Sequence, residues 1–432
     1  MSFKDLGVNS ALIKALTLAG IDKPFPIQKA TLPDAIAGKD ILGRGQTGSG
    51  KTLAFGLALI SRLAGKTAAP MRPLALILSP TRELAMQISD VIAPLSRSVN
   101  LNSQVVAGGL SYSKQIQALK RGVPIIVATP GRLIDLIQKK HIKLDDILIT
   151  VLDEADQMAD MGFLPDVKRI LDLTKPDGQR MLFSATLDKD VDSLVKKYLR
   201  NPVTHSLANE KSTAGNMTHH VLVMEQAHKD LITAQIAARK GKSIFFVRTK
   251  HGADKLAKKM NQVGVAVGAL HGGKTQSQRS RVLEAFKSGK TSALVATDVA
   301  ARGIHVDDVS LVVHVDAPEN HKDYLHRAGR TARAGAVGTV VTLATHKQRK
   351  GVHGLTSRAG VKLTESTVRP LDSTLVRITG ALEPSGVPIE DAAHANSDGS
   401  GRSRNERGSR SKGGGRRKKS RPRPNERRKR PR

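Results

Sequence analysis

Short runs of aliphatic and β-branched residues recur along most of the chain and alternate with polar segments long enough to form a helix. Such runs are typical of strands buried on both faces of a parallel sheet, and their separation by helices predicts doubly wound α/β domains. The predicted strands lie at 74–79, 124–129, 147–153 and 180–186 in the first half, and at 243–249, 292–298, 310–316 and 338–345 in the second half.

The two halves of the chain resemble each other. The tetrapeptide IVAT at 126–129 matches LVAT at 294–297, an offset of 168 residues. The same offset relates Thr81 to Thr249, each of which stands in a polar, basic loop that follows an apolar strand. Two matches at one offset predict a duplicated α/β domain rather than a chance similarity.

These patterns divide the chain into five segments. We predict a first domain over 1–205, a linker over 206–217 where apolar periodicity is lost, and a second domain over 218–352. A poorly defined extension follows over 353–393, and a basic tail over 394–432. At the other end, the sequence predicts a helix that Ser10 caps and Gly20 ends, rather than a signal peptide.

The net charge of the chain indicates which class of partner it binds. The chain has 70 Lys and Arg against 38 Asp and Glu, a net charge of +32, which favours a polyanion, with nucleic acid first and an anionic membrane second. Residues 402–432 hold 16 Lys and Arg and 2 Glu, a net charge of +14, without Val, Ile, Leu or an aromatic residue. That stretch cannot bury a core, so we expect a disordered basic C-terminal tail that tethers nucleic acid, or else a merely solvated run.

Three absences in the composition exclude whole classes of site. Without cysteine there are no disulfides, thiolate zinc sites or catalytic thiols, and a reducing cytoplasm is the expected location. No apolar run approaches the length that spans a bilayer. With no Trp, three Tyr and eight Phe, a base-stacking platform is hard to build, so binding directed at the nucleic-acid backbone is favoured.

Residues 45–52 (GQTGSGKT) match the pattern G-x-x-x-x-G-K-[ST], between a strand-like segment at 40–43 and an apolar helical segment at 53–63. Glycines let backbone N–H groups surround phosphate oxygens at a helix N-terminus. Lys51 is expected to reach the β- and γ-phosphates and Thr52 to bind Mg²⁺. The predicted phosphate-binding residues are Gly45, Gln46, Thr47, Gly48, Ser49, Gly50, Lys51 and Thr52.

Two further patterns complete a candidate hydrolytic site. Asp153 and Glu154 close a buried strand, where Asp153 is expected to hold Mg²⁺ and Glu154 to orient and deprotonate water, although an acidic helix N-terminus explains them too. Arg327, Arg330 and Arg333 recur every third residue, which on one helical face predicts an opposing anion. That anion is a phosphoryl group or an RNA phosphate, and the alternative is a solvated basic face.

In this order the motifs resemble those of the DEAD-box ATP-dependent RNA helicases of superfamily 2, bacterial type with a basic tail, over about residues 3–345. The resemblance implies two tandem RecA-like domains that close on ATP and RNA together. It also implies that Phe3 stacks on adenine, Gln28 bonds the adenine edge and Asp298 touches the nucleotide. Arg330 and Arg333 take the arginine-finger positions.

The resemblance assigns the remaining motifs to RNA binding and to coupling between the domains. The residues expected to contact the RNA backbone are Pro80, Thr81, Arg82, Gly108, Gly109, Thr129, Pro130, Arg132, Arg248, Gln276, Arg279 and Thr297. Those expected to couple hydrolysis to domain closure are Asp156, Ser184, Thr186, His326 and Arg327.

The expected activity is RNA-stimulated ATP hydrolysis that unwinds or remodels short RNA duplexes without sequence specificity. Two alternatives stay open, an RNA-binding or annealing protein that uses ATP only as a clamp switch, and a DNA helicase. A monomer is expected, and ribosome assembly or RNA decay are the processes considered for it.

Overall fold

The aliphatic runs form the strands of two parallel sheets, each flanked by helices. The structure is a computed structural model, and it describes residues 1–45, 48–184, 186–206, 217–301, 306, 308–332 and 336–389. The predicted linker lies almost wholly outside these residues, and the basic tail lies entirely outside them.

The first lobe contains a seven-stranded parallel sheet among the described residues, in the order β3-β4-β2-β5-β6-β1-β7. Its strands are β1 Ile41–Arg44, β2 Ala75–Leu78, β3 Ser103–Val106, β4 Ile125–Ala128, β5 Ile149–Asp153, β6 Gln179–Ser184 and β7 Val203–Ser206. Its helices are α1 Ser10–Leu18, α2 Pro26–Ile36, α3 Lys51–Leu63, α4 Arg82–Arg97, α5 Tyr112–Lys120, α6 Pro130–Gln138, α7 Ala155–Asp160, α8 Leu164–Asp172 and α9 Lys189–Tyr198.

The second lobe repeats this plan, with a parallel sheet in the order β10-β11-β9-β12-β13-β8-β14. Its strands are β8 Met217–Met224, β9 Lys242–Phe246, β10 Val267–Leu270, β11 Ala293–Ala296, β12 Val309–His314, β13 Gly338–Thr345 and β14 Thr364–Thr367. Its helices are α10 Lys229–Ala237, α11 Lys250–Gln262, α12 Gln276–Lys287, α13 Asp298–Ala301, α14 His321–Ala328, α15 Arg349–Arg358 and α16 Ser373–Thr379.

The internal repeat of the sequence is therefore a repeat of structure. β4 and β11, which carry the matching tetrapeptides, begin 168 residues apart and occupy the same place in their sheets. Each sheet is covered by apolar side chains on both faces, which is why its central strands read as continuous apolar runs. Because all strands run parallel, the loops at their carboxyl ends gather at one edge, where ligands bind in open α/β sheets.

Some local predictions were wrong. Asn9, not Ser10, caps the first helix, because its side chain accepts a hydrogen bond from Ala11 N at 2.9 Å. The strands β3, β7, β8, β10 and β14 were not predicted: β3, β7, β10 and β14 are edge strands of four residues, and the first half of β8 is not fully buried. Residues after 352, which the sequence left without assigned elements, add part of α15, β14 and α16 to the second lobe.

None of the helices in the described part of the chain combines the length and apolar character that a bilayer crossing requires.

Candidate nucleotide and nucleic-acid sites

The loop between β1 and α3 carries the glycines of the phosphate-binding motif. Gly48 and Gly50 have φ angles of 88° and 89°, in the left-handed region that glycine tolerates. A Cβ built on Gly50 falls 2.6 Å from Gln28 Nε2, so a larger residue would also clash. Lys51 begins α3, is only 6% exposed, and donates from Nζ to the Gly45 carbonyl oxygen at 2.6 Å. The loop, the helix N-terminus and the lysine therefore form one cationic cradle.

The two acids that follow each other at the end of β5 are buried near this cradle. Burial raises the pKa of Asp153 to about 7, although the charge of Lys51 opposes the shift. Glu154 has a left-handed backbone with φ of 54°, a strained conformation for a non-glycine residue that costs roughly 1–3 kcal/mol. Its Oε2 is buried and has no hydrogen-bond partner among the described residues. Strain and an unsatisfied carboxylate oxygen together are typical of a reactive group.

The donors at this point fit a magnesium ion. Asp153 offers a carboxylate and Thr52 a hydroxyl, the oxygen ligands that Mg²⁺ takes together with phosphate oxygens and water. Burial outweighs the attraction of Lys51 at Asp153, so a divalent cation beside this carboxylate would favour its ionised form. The residues present therefore suit the ion that the motif implies.

Asp156 joins the acidic segment to the loop after β6. Its Oδ2 accepts hydrogen bonds from Thr186 N at 2.9 Å and from Thr186 Oγ1 at 3.0 Å. Its backbone N donates to Ser184 Oγ at 3.3 Å. Asp156 and Ser184 are buried, so water does not compete for these bonds. The acidic segment is thus hydrogen-bonded directly to the loop after β6.

The residues predicted to bind adenine lie in different surroundings. Gln28 is fully buried, where its Oε1 accepts from Phe25 N at 2.9 Å and its Nε2 donates to the Gly50 carbonyl oxygen at 3.0 Å. Phe3 is 3% exposed and packs in the core of the first lobe, so its ring has little surface left for stacking. Phe25 is 48% exposed, and its Cδ2 lies 3.0 Å from a Cβ built on Gly50. The available aromatic face beside the cradle is therefore that of Phe25, which the sequence did not single out as a ligand.

The arginine motif does not form one helical face, so that expectation was wrong. The helix α14 ends at Ala328 with Gly329 as its C-cap, and Arg330 follows outside the helix. Arg327 is buried, and its Nε and Nη2 donate to the Asp298 carboxylate at 2.5 and 2.7 Å. Its charge is consequently neutralised within the second lobe.

Arg330 lies next to this pair. It is 6% exposed, donates from Nε to the His326 carbonyl oxygen at 3.3 Å, and lines a narrow cleft with Asp298, Arg327 and Phe246. Of the other predicted nucleotide residues, Gln46, Thr47 and Arg333 lie outside the described residues.

Side chains of α14 reach acids of the first lobe. Lys322 Nζ lies 2.5 Å from Asp188 Oδ2 and 3.5 Å from Asp160 Oδ1. His326 Nδ1 lies 3.9 Å from Asp160 Oδ2. Although burial opposes the shift, the hydrogen bond from Lys322 lowers the pKa of Asp188, and the same bond raises the pKa of Lys322. Because Asp188 caps α9 two residues after Thr186, these contacts connect the lobes at the loop after β6.

The loops after β2 and β3 meet in the first lobe. Thr81 caps α4, with its Oγ1 accepting from Leu84 N at 3.2 Å. Arg82 Nη1 donates to the Gly108 carbonyl oxygen at 3.0 Å. A Cβ on Gly109 would fall 1.8 Å from the same nitrogen, and the φ of 75° at Gly109 also favours glycine. The paired glycines therefore make room for Arg82 at this edge, next to Pro80.

The loop after β4 continues the same edge. Thr129 precedes α6, which starts at Pro130. The guanidinium carbon of Arg132 lies 4.9 Å from the centre of the Tyr112 ring, and Nη1 of Arg132 is buried without a hydrogen-bond partner among the described residues. Tyr112 thus holds a cation in place, a role that its position in the sequence did not reveal.

The second lobe places its predicted RNA-binding residues at the corresponding edge. Arg248 follows β9 and is exposed, and its backbone N donates to Asp316 Oδ2 at 3.0 Å. Thr297 follows β11 and is 7% exposed. Both positions match those of the first lobe, since β9 and β11 occupy the places of β2 and β4.

The side chains of two residues of α12 contact the first lobe. Arg279 Nη2 lies 3.1 Å from Glu83 Oε1, and Gln276 Nε2 lies 4.0 Å from Met86 Sδ. Glu83 also pairs with Arg82 at 3.2 Å. The two sets of loops are therefore joined at α4 into one polar, cationic surface across both lobes.

Comparisons with known proteins agree with this arrangement. A family model described as DEAD/DEAH box helicase matches residues 25–194, and one described as Helicase conserved C-terminal domain matches residues 225–335. The chain is 39% identical over 368 residues to "DEAD-box ATP-dependent RNA helicase 9" of Oryza sativa subsp. japonica, covering 83% of this chain and 58% of that protein. It is 38% identical over 391 residues to "DEAD-box ATP-dependent RNA helicase 30" of Arabidopsis thaliana, covering 88% and 65%. The chain thus spans about three fifths of the length of these relatives.

Solved structures extend the match over both lobes. S. cerevisiae Dbp5 bound to RNA and ADP BeF3 is 30% identical, with a TM-score of 0.77 and coverage of 88% of this chain and 99% of that chain. A DEAD box protein from the hyperthermophile Methanococcus jannaschii is 33% identical, with a TM-score of 0.51 and coverage of 85% and 99%. Since the two family models together match more than half of the chain, and these solved structures match both lobes, the chain belongs to the DEAD-box helicase family.

Proposed function

We propose that the protein is an ATP-dependent RNA helicase, in which RNA stimulates ATP hydrolysis and the closure of the two lobes locally unwinds or remodels short RNA duplexes. Its relatives are named as ATP-dependent RNA helicases, and Dbp5 binds RNA and ADP BeF3 in its structure. The observation that carries the proposal is Oε2 of Glu154, which is buried beside the phosphate cradle without a hydrogen-bond partner among the described residues, while the nearby Asp156 bonds Thr186.

The chemical step is the transfer of the γ-phosphoryl group of ATP to water. The bond between water oxygen and the γ-phosphorus forms while the bond to the β-phosphate oxygen breaks, and Glu154 accepts the proton of the attacking water. Lys51 and the N–H groups of the cradle hold the phosphates, and Arg330 supplies positive charge from the second lobe. Mg²⁺, held by Thr52 and Asp153, would neutralise phosphate charge when bound.

Contacts between the lobes supply the coupling to RNA. The Lys322 and His326 contacts form beside the loop that Asp156 holds, whereas Arg279 meets Glu83 at the RNA-binding surface. One closing motion therefore completes both sites at once, so each ligand favours binding of the other. The loops present glycine, threonine and arginine, which suit sugar and phosphate oxygens rather than base edges, so low sequence specificity is expected.

The decisive experiment compares steady-state ATP hydrolysis with and without single-stranded RNA, for the unchanged protein and for Glu154→Gln. We expect RNA to raise the rate and Glu154→Gln to lower the maximal rate by at least a hundredfold while nucleotide still binds, because general-base catalysis contributes about 10²–10⁴-fold. A rate that RNA does not change, or that survives the loss of Glu154, contradicts the proposal. A 2′-deoxy strand that stimulates equally well would point to a DNA helicase. Annealing without unwinding would point to the clamp alternative.

We also propose that residues 402–432 tether RNA without sequence specificity. Their net charge of +14 favours release of counterions from RNA. Deleting them should weaken the salt dependence of RNA binding and raise the RNA concentration for half-maximal hydrolysis, with the maximal rate nearly unchanged. A large loss of maximal rate would contradict a tether.

The finer assignments are proposals of the same kind. They comprise a monomer, a bacterial type of helicase with a basic tail, a cytoplasmic location and a role in ribosome assembly or RNA decay. Sizing the protein by light scattering would test the monomer, and sequencing the cellular RNA crosslinked to it would test the role in ribosome assembly or RNA decay.

A further inference from the structure

A cavity of about 600 Å³ in the second lobe lies beside the predicted RNA-binding loops, and the proposed hydrolysis does not use it. It opens at the carboxyl edge of the second sheet, between the loops after β9, β12 and β13 and the helix α15. Its volume falls within the range of about 300–1,000 Å³ that is usual for small-ligand sites.

The cavity combines an apolar floor with a cationic rim. Its apolar lining residues are Ala317, Pro318, Leu343, Val352 and Leu355. Its cationic lining residues are Arg248, Lys347 and Arg358. An apolar surface accepts the face of a nucleobase, and cations accept the phosphate that follows it.

The charges of the rim are not balanced by the protein. In the described part of the chain, no ion pair involves Lys347, Arg358 or the side chain of Arg248, whereas their neighbour Arg349 pairs with Glu365 at 2.7 Å. The wall also contains Asp316 and Glu319.

Of these two acids, Asp316 is already engaged. Its Oδ1 lies 3.6 Å from Lys229 Nζ, and its Oδ2 accepts from Arg248 N at 3.0 Å. Three cations thus face one remaining carboxylate, so the cavity attracts an anion.

We propose that this cavity binds a nucleotide of single-stranded RNA that flanks the segment held across the two lobes. The inference rests on the proposed function, because Arg248 belongs both to the predicted RNA-binding loops and to the rim of the cavity. A strand that passes Arg248 toward β12 and β13 enters the cavity, with its base on the apolar floor and its phosphate between Lys347 and Arg358. This continuity of the cationic surface favours RNA over an acidic peptide as the occupant.

The test measures binding of fluorescein-labelled RNA to the full chain in the presence of ADP and beryllium fluoride, at one fixed salt concentration. Three RNAs are compared: a short one that stimulates hydrolysis, the same one extended by two nucleotides at its 5′ end, and the same one extended at its 3′ end. We expect one extension, and not the other, to lower Kd by about tenfold, as stacking of a base contributes about 1–3 kcal/mol. An extension with abasic sites should lose most of this gain.

The variant Lys347→Glu with Arg358→Glu should abolish the gain from extension while leaving Kd for the short RNA within about twofold, because charge at the rim acts on the flanking phosphate. Both side chains are exposed, so the fold should tolerate the change. The matched control is Lys287→Glu with Lys290→Glu, the same charge change on exposed residues at the end of α12, and it should retain the gain.

Three results would overturn the inference: no gain from either extension, a gain that persists in the Lys347→Glu, Arg358→Glu variant, or a gain that abasic extensions reproduce in full. Such failures leave RNA-stimulated hydrolysis by the short RNA intact. Failure of the proposed function is different, because hydrolysis would then respond to no RNA.

Discussion

The contact between Lys322 and Asp188 allows the strength of lobe closure to be measured. The two side chains are 38% and 20% exposed, with 2.5 Å between Nζ and Oδ2. A hydrogen bond to a charged group contributes about 1.5–3 kcal/mol, and an exposed ion pair about 0–1 kcal/mol. Partial exposure places this contact between the two, at about 1–2 kcal/mol, and Lys322→Ala should therefore lower the equilibrium constant for closure by roughly 5–30-fold.

The assay is RNA-stimulated ATP hydrolysis over a range of RNA concentrations. Because only closed molecules hydrolyse ATP in the proposed mechanism, the RNA concentration for half-maximal rate should rise by about the same factor, with the maximal rate changed less. Added salt should reduce the difference in half-maximal RNA concentration between the variant and the unchanged protein, since salt screens the ion pair that the variant lacks.

Lys196→Ala is the matched control. It removes a 2.7 Å ion pair with Asp192 that lies within α9 and touches one lobe only. A half-maximal RNA concentration that stays unchanged in Lys322→Ala, in a protein with normal thermal unfolding, would refute the reasoning.

Three further predictions concern stability and the two ligands. Burial lowers the pKa of His219 from 6.5 to about 4, so its neutral form is favoured in the folded state. The stability that depends on this group is present above pH 6.5 and is lost as pH falls toward 4. In urea titrations, the free energy of unfolding should fall by about 2 kcal/mol between pH 7.5 and pH 5 because of this group. In His219→Phe, that part of the pH dependence should be missing. Phe25→Ala should weaken nucleotide binding about fivefold in a fluorescent-nucleotide titration, since base stacking is lost, whereas Leu18→Ala on an exposed helix face should not. Gly109→Ala should displace Arg82 and weaken RNA binding about tenfold without altering nucleotide affinity, and equal effects on both ligands would count against it.

Much of the fold was readable from sequence because its signals are local. A parallel strand buried on both faces needs consecutive aliphatic residues, and eight such runs predicted eight strands close to their observed bounds. The phosphate cradle was equally local, since glycines at fixed spacing before a lysine serve one backbone geometry. Edge strands such as β3 and β14 were missed because less of their surface is buried, which leaves partly buried positions in the pattern.

The candidate site was readable as a set of residue types, but not as a set of contacts. The motif order located Glu154 and Asp156. Only the fold reveals that Oε2 of Glu154 has no hydrogen-bond partner within the described part of the chain, and that Asp156 bonds Thr186. Whether an aromatic ring faces the core or a ligand depends on its neighbours. Phe3 is therefore buried and Phe25 exposed, although both are phenylalanines that the sequence pattern alone does not distinguish.

Sequence patterns were enough to predict two repeated parallel sheets, the phosphate cradle and the acids at the end of β5, because each depends on residues a few positions apart. Tertiary structure alone decided where α14 ends and how Arg327 is neutralised. It also decided which charges join the lobes, since Lys322 and Asp188 are 134 residues apart in the chain. Such pairs form only when packing of the cores brings distant loops to one edge. The spacing of residues along the chain does not indicate which distant residues will then be in contact.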